Sequence, residues 1–482
     1  MAKPDFFIDM HCHPSLRSMN SNAHPNKQAL WESSKNPEIN TPIGRWARMQ
    51  TSDIEKSSQS NLYAYSSNNT KVIVDAMYPV EKGWYNFRKF PKFLVGNKSF
   101  EETLQVSTGI EYSRLQALIN NPSYVDELQL IYEYLFNNQG PSPDGKHEYE
   151  LVSSFDDIVK LHSAKPNALA VILSIEGAHA LGAGSPVTQN MSLKKQKAYL
   201  TDNIKRIKSW DHTPITINLA HHFWNELAGH SKSMKAPMHL VFNQNIGLDK
   251  GITELGWHVI EELLSRSNGK RILVDVKHMS VTSRLEYYEF IRRNNFINSD
   301  NKIPIVCGHA ATNGYKTIRN SVRVPDTNHK LSGSYLNNWS INLSREEINL
   351  IHSSGGRIGI MLDKGILGSP TTFKRIDAIK DPEVQKNSYC KLICDNIFNV
   401  VEAIGTPEGW NTPMLASDFD GLISHVNRYN NATKLPLLQK DLVEYLEASD
   451  YRKDVWFGLK PSEMIYRFMT GNAYDFLKLN FI

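Results

Sequence analysis

One alternation restricts the fold more than any other feature. From residue 168 onward, short apolar runs recur at 168–175, 215–219, 271–276, 303–306, 357–361 and 413–416, with helix-like stretches between them. Leu255 to Leu264 is one amphipathic stretch, and Ser344 to Ile351 is another, opening on a Ser344/Glu347 capping box. Runs of this length separated by helices are the signature of a parallel sheet with crossover helices. Two earlier runs, 6–10 and 71–78, bring the number of strands to eight. Eight such units predict a (β/α)8, TIM-like barrel, in which the C-terminal strand ends converge on one site. A chain of 482 residues is long enough for several domains, but no linker divides this pattern. Residues 1–482 are therefore expected to form one barrel domain, with 15–70 and 79–150 as insertions after strands one and two.

The insertions are less regular. Residues 15–70 are rich in Ser, Asn, Lys and Pro and read as a long surface excursion, with 43–58 helical. Residues 100–136 read as two helices broken near Asn120-Asn121-Pro122, and 138–145 as a loop.

The strand ends carry the chemistry. Strand one closes on His11-Cys12-His13; side chains at i and i+2 leave an extended chain on one face, so His11 and His13 point the same way. Strand three ends at Glu176, strand four at His221, strand five at His278, strand six at His309 and strand eight at Asp418. Four histidines and a carboxylate suit two divalent metals. We assign His11 and His13 to one metal, His278 and His309 to the other, and Glu176 as the bridge. Two metals lower the pKa of a shared water and polarise a carbonyl. Asp418 would carry that water's proton to the leaving nitrogen, and His221 would donate to the carbonyl oxygen as it gains charge. His222 and His230 are read as supporting or solvated, His179 as a structural hydrogen bonder, and Asp420 as a turn residue. Cys12 alternates to the opposite face and should pack, as should Cys307.

Composition removes other classes. The net charge is only +4 with both signs interspersed, so neither nucleic acid nor a membrane surface is an expected partner. Cys12, Cys307, Cys390 and Cys394 form no CxxC pair. A reduced protein is expected, and with Met1-Ala2-Lys3-Pro4 leading straight into strand one, a cytoplasmic one unless a leader has been removed.

Taken together the motifs resemble the membrane (renal) dipeptidase family of the amidohydrolase superfamily. Ser174-Ile175-Glu176-Gly177-Ala178-His179-Ala180-Leu181 is similar to its EGGHAL-type segment, and Leu273-Val274-Asp275-Val276-Lys277-His278-Met279-Ser280 to its D-L-x-H-x-S. Ile305-Val306-Cys307-Gly308-His309-Ala310 resembles its F-S-H-S, and Ser417-Asp418-Phe419-Asp420-Gly421 its S/G-D-F-D-G. Asn342 to Glu347 with Gly355-Gly356 resembles its N-L-S-D-E-E…G-G. The resemblance implies a di-zinc dipeptidase, a metallopeptidase with bridging Glu176, substrate-binding His221 and acid/base Asp418. It also implies a homodimer and an arginine that holds the substrate carboxylate. Ile318 to Asp326 offers Arg319 and Arg323 for that task, with Arg319 preferred because it keeps the Arg-Asn pair. The family has H-x-D on strand one where this chain has His11-Cys12-His13, making the site one charge more positive. Deacylation of an N-acyl amino acid and lactone opening remain alternatives, followed by phosphoester hydrolysis and a non-enzymatic binding role.

Overall fold

The computed structural model describes residues 4–20, 26–34, 38–50, 58–84, 97–121, 123–234, 242–323 and 335–482. Eight parallel strands run in chain order around a barrel: β1 (Phe7–Cys12), β2 (Thr70–Met77), β5 (Leu169–Ile175), β6 (Thr216–Asn218), β7 (Leu273–Asp275), β8 (Val306–Ala310), β9 (Arg357–Ile360) and β10 (Pro413–Leu415). Every residue of β1 and β5 is buried, because side chains fill the interior and helices cover the outside. Strands shielded on both faces read as unbroken apolar runs, which is why the sequence reveals them.

The ring closes just past the ends of its first and last strands. Cys12 bridges to Phe419, the Asp418 N–H donates to the His11 carbonyl at 2.9 Å, and the His13 N–H donates to the Phe419 carbonyl at 2.9 Å. The wall at β5 and β6 is splayed at its base. There β3 (Gly140–Pro141) and β4 (Glu148–Leu151) form a hairpin whose second strand pairs with the first half of β5, while β6 joins β5 only at Ile175.

Strand one runs to Cys12, so His11 lies within it rather than beyond it. Strand six is Val306–Ala310, not 303–306. Pro304 has no N–H to give a ladder, and the Ile305 N–H turns to the Ser354 hydroxyl at 2.9 Å, so pairing starts later. The 138–145 loop contains β3, which its Gly-Pro sequence concealed.

Residues 15–70 are more than surface. Helices Pro14–Asn20, Lys27–Trp31, Pro42–Gln50 and Leu62–Ser66 bury Arg17, Trp31 and Tyr65. The Tyr65 hydroxyl reaches Asp9 inside the barrel at 2.7 Å. Of the stretch 43–58, residues 51–57 lie outside the described residues. The stretch 100–136 forms three helices, Asn97–Thr108, Tyr112–Asn120 and Tyr124–Asn137. The additional break falls at Gly109, whose φ of +69° suits glycine and whose carbonyl accepts from Arg17 at 3.0 Å; any side chain there would strike that guanidinium. Helix Glu254–Leu264 starts on Thr253, and helix Arg345–Ser353 on the expected capping box.

Beside the main core lies a smaller cluster. Ile110, Leu115 and Leu118 of the second insertion pack with Tyr78, Val80 and Trp84 after β2 and with Met234 and Phe242 after β6. This insertion thus rests on the loops at the C-terminal side of the barrel. No helix among the described residues is long and apolar enough to cross a membrane.

Candidate metal centre

Six strands, β1, β5, β6, β7, β8 and β10, deliver imidazoles and carboxylates to one buried spot. The His13 Nδ1–H donates to the Ala76 carbonyl at 2.8 Å, which turns Nε2 inward. That Nε2 stands 3.2 Å from His11 Nε2. Across the site, His278 Nε2 and His309 Nε2 are also 3.2 Å apart. Glu176 lies between the pairs. Its Oε2 is 3.1 Å from His13 Nε2, and its Oε1 is 3.4 Å from His309, 3.7 Å from His278 and 3.7 Å from His11. Donor atoms around a tetrahedral zinc with bonds of about 2.0–2.1 Å stand about 3.3 Å apart. The nitrogen–nitrogen and nitrogen–carboxylate separations therefore fit metal binding, and a shared proton satisfies them too. Two inward lone pairs at 3.2 Å repel unless a proton or a cation lies between them.

Burial keeps most of these imidazoles uncharged. It depresses His11 and His278 to about 3 and His309 well below its ordinary value. His13 goes the other way: burial opposes its charge, but the Glu176 and Asp418 carboxylates outweigh that and raise it. Glu176 is held well below the usual carboxylate range because His221 and His13 overcome its burial.

Asp418 Oδ1 is 3.3 Å from His13 Nε2 and 3.6 Å from His11 Nε2. Burial, partly offset by His13, pushes its carboxyl up to about 7. Asp418 and His278 both adopt left-handed backbone, with φ of 60° and 66°, a conformation that costs a non-glycine residue energy. Gly421 makes room for the first of them, since a Cβ there would lie 2.1 Å from Asp418 Oδ1.

The structure thus brings together His11, His13, Glu176, His221, His278, His309 and Asp418. The arginines stand apart from this buried set. Arg319 is exposed on the turn Ile318–Asn320 after β8, and Arg323, its side chain 59% exposed, is paired with Asp249. Cys12 faces away from the site, its thiol 3.5 Å from the Val74 carbonyl, and all four cysteines are buried free thiols. His179 donates to the Pro79 carbonyl at 2.7 Å, in keeping with its structural reading. Asp420 does more than shape a turn, because it accepts from the Gln59 and Ser60 amides and pins the first insertion. His230 is not solvated; it is fully buried between the Ser231 and Ile246 carbonyls.

Three participants escape a reading of strand ends. His222 lies close enough to His221 and His278 for the three to hold an ion, with its Nδ1 2.6 Å from the Ser233 hydroxyl. Lys277 buries its ammonium inside the barrel, 4.0 Å from Met361 Sδ, and burial lowers its pKa against the pull of Asp418, Asp363 and Asp275. Glu81 lies four residues past β2 and is fully buried. Its Oε2 accepts from His221 Nδ1 at 2.6 Å and from the Tyr78 hydroxyl at 3.0 Å, and its Oε1 accepts the Phe223 amide at 3.0 Å. Burial alone would lower His221, yet Glu176 and Glu81 raise it to about 9. His221 Nε2 then points at Glu176 Oε1 from 3.5 Å. Strands two and seven both supply no residue to the sequence-read site, and the gap at strand two is the hint of Glu81 the sequence holds.

The barrel is shared with solved structures. One is described as a dipeptidase, a metallo peptidase of family M19, at 12% identity and a TM-score of 0.51 over 99% of this chain and 98% of that one. Another is a metallo peptidase from Rhodobacter sphaeroides bound to a phosphinate mimic of the dipeptide L-Ala-D-Ala, at 12% identity and a TM-score of 0.52 over 98% of this chain and 99% of that one. No protein-family model and no curated protein sequence matches the chain.

Proposed function

We propose that this chain is a metal-dependent hydrolase of the amidohydrolase superfamily, and within it a dipeptidase of the membrane dipeptidase type. It would hold two divalent ions, for which zinc best suits a donor set of imidazoles and carboxylates. The observation that carries the reading is Glu176, whose two oxygens face two imidazole pairs, each with its Nε2 atoms 3.2 Å apart. The barrel shared with metallo peptidases supports it, and the dipeptide mimic bound by one of them names the substrate class to test first.

His11 and His13 would hold one ion and His278 and His309 the other, with Glu176 between them. Such ions supply Lewis acidity and acidify a water towards neutral pH. The chain's own groups do the rest. Asp418 accepts the proton of the attacking water and returns it to the leaving nitrogen, a role for which a carboxyl near 7 is well placed. His221, with Nδ1–H held by Glu81, presents Nε2–H to the scissile carbonyl as negative charge builds on its oxygen. Arg319, which keeps the Arg-Asn pair, would receive the substrate carboxylate, while Arg323 is paired with Asp249 on the surface. His13 in place of an aspartate makes the site more positive and favours an anionic substrate. Four buried, unbridged thiols are in keeping with a reducing compartment, and we place the enzyme in the cytoplasm.

The test is elemental analysis of the purified chain together with hydrolysis of a dipeptide panel that includes D-residues at the C-terminal position. About two metals per chain with turnover is the expected result. Two metals without turnover would transfer the chemistry to another amide, an ester or a phosphoester. Absence of metal from protein purified without chelators would overturn the reading.

A further inference from the structure

We infer that Glu81 is the positioning residue of the site: it fixes the ring of His221 so that Nε2, and not Nδ1, is presented to the substrate. The inference rests on the role given to His221 above.

Three features of the geometry carry it. First, the contact is short and closed to solvent, with Glu81 Oε2 2.6 Å from His221 Nδ1 and both side chains buried. Only Nδ1–H can donate to a carboxylate, so the proton on that nitrogen is assigned by its partner. Second, Glu81 is itself fixed. The Phe223 amide holds Oε1 at 3.0 Å, and the Tyr78 hydroxyl holds Oε2 at 3.0 Å. That hydroxyl is in turn held by the Trp84 indole N–H at 2.8 Å. A carboxylate tied at both oxygens cannot swing away when substrate arrives. Third, its place in the chain links two walls of the barrel, because Glu81 follows β2 whereas His221 follows β6. The loop after β2 thereby reaches across β5 to set a ring on β6. Tyr78 also packs edge-on against that ring at 4.9 Å.

A carboxylate behind an imidazole holds the ring's orientation and favours its doubly protonated form, the one in which the far nitrogen carries a proton to donate as charge develops on a substrate oxygen. Replacing the carboxylate by an amide keeps the volume and one acceptor but removes the charge. The affected quantity should be stabilisation of the transition state rather than of the ground state.

The test is a double-mutant cycle between Glu81→Gln and His221→Asn, read with metal content and the proton NMR spectrum of the metal-loaded chain. The wild type should show a far-downfield imidazole N–H resonance that both single variants lose. Glu81→Gln should keep its metals and lower kcat about 10–100-fold, with KM changed less than about 3-fold. Affinity for a phosphinate dipeptide mimic should fall by the same factor as kcat. In the His221→Asn background the second substitution should change kcat by less than about 2-fold. Glu81→Asp, a shorter carboxylate, should recover part of the loss. Full multiplicativity of the two losses, or a loss confined to KM, would overturn the inference, and so would a wild-type spectrum without the resonance. A wild type that binds metal and shows the resonance but hydrolyses no dipeptide would refute the functional reading instead. The resonance and its loss in Glu81→Gln would then support the positioning contact independently.

Discussion

Asp418→Asn separates two roles that the structure allows one carboxylate. Asp418 Oδ1 stands 3.3 Å from His13 Nε2 and 3.6 Å from His11 Nε2, close enough for the three to share an ion. It is also the group whose carboxyl burial lifts from 3.8 to about 7. If Asp418 carries the proton, the asparagine chain should keep about two metals and lose about 10²–10⁴ in kcat, or about 3–5 kcal/mol of barrier lowering. The acid limb of the wild-type pH–rate profile should lie at or below about 7, because bound cations draw the carboxyl downward from its metal-free value. That limb should vanish in the variant.

A stability measurement on the chelated protein tests the same carboxyl by another route. A raised folded-state pKa means that ionisation opposes folding. The carboxyl imposes no such penalty below 3.8, and the penalty grows as pH rises towards 7. The shift of roughly three units corresponds to at most about 4 kcal/mol at pH 8, and the coupling to His13 makes this an upper bound. The metal-free asparagine variant should therefore be more stable than the wild type at pH 8 and equal to it near pH 3.5. Urea unfolding at the two pH values reads the difference. Loss of one metal from the variant, or an unchanged acid limb, would refute the proton-carrier role. Equal stability at pH 8 would refute the account of the raised pKa.

Two further outcomes follow from the same geometry. Glu176→Gln should drop metal content well below two per chain, and with it the stabilisation that saturating zinc gives the wild type, about 4 kcal/mol at a thousandfold excess over Kd; thermal melts with and without chelator check this. Arg319→Ala should raise KM for dipeptides at least about 10-fold with kcat largely kept, whereas Arg323→Ala should not, and equal effects of the two would remove the assignment.

The barrel was readable because its strands are hidden on both faces. Leu169–Ile175 is buried throughout and announces itself as an apolar run. Where one residue cannot join a ladder the reading slipped, as at Pro304, where hydrophobicity points to a strand that lacks the N–H to pair. The strand-end rule found seven residues that do converge, since each sits at or within a few residues of a strand's end. It missed Glu81 because the loop after β2 carries it back towards the site only through tertiary packing, and no local pattern records that. His222, which its place in the loop of His221 marks as supporting or solvated, lies close enough to His221 and His278 for the three to hold an ion. The insertions were least legible. Arg17, Trp31 and Tyr65 are buried in a stretch whose Ser, Asn and Lys content suggested surface.

The seam between β1 and β10 explains why three site residues lie where the ring closes. Asp9, buried two residues before His11, accepts the Ser417 amide at 2.8 Å, the Ser417 hydroxyl at 2.5 Å and the Tyr65 hydroxyl at 2.7 Å. Burial raises its pKa against the pull of these donors. The Phe419 amide donates back to the Ser417 hydroxyl at 3.1 Å, so one side chain serves both strands. Above this junction sit His11, His13 and Asp418, whose backbones are the ones that close the barrel. Ser417→Ala should therefore weaken both fold and site. Removing a hydrogen bond to a buried charged group is worth about 1.5–3 kcal/mol, to be read as a lower urea midpoint for the chelated chain. If the seam also holds the ligands in register, zinc affinity should fall about 10-fold in a competition titration, although no ligand has been altered. A variant that loses stability yet binds zinc as tightly as the wild type would show the seam to be scaffold alone.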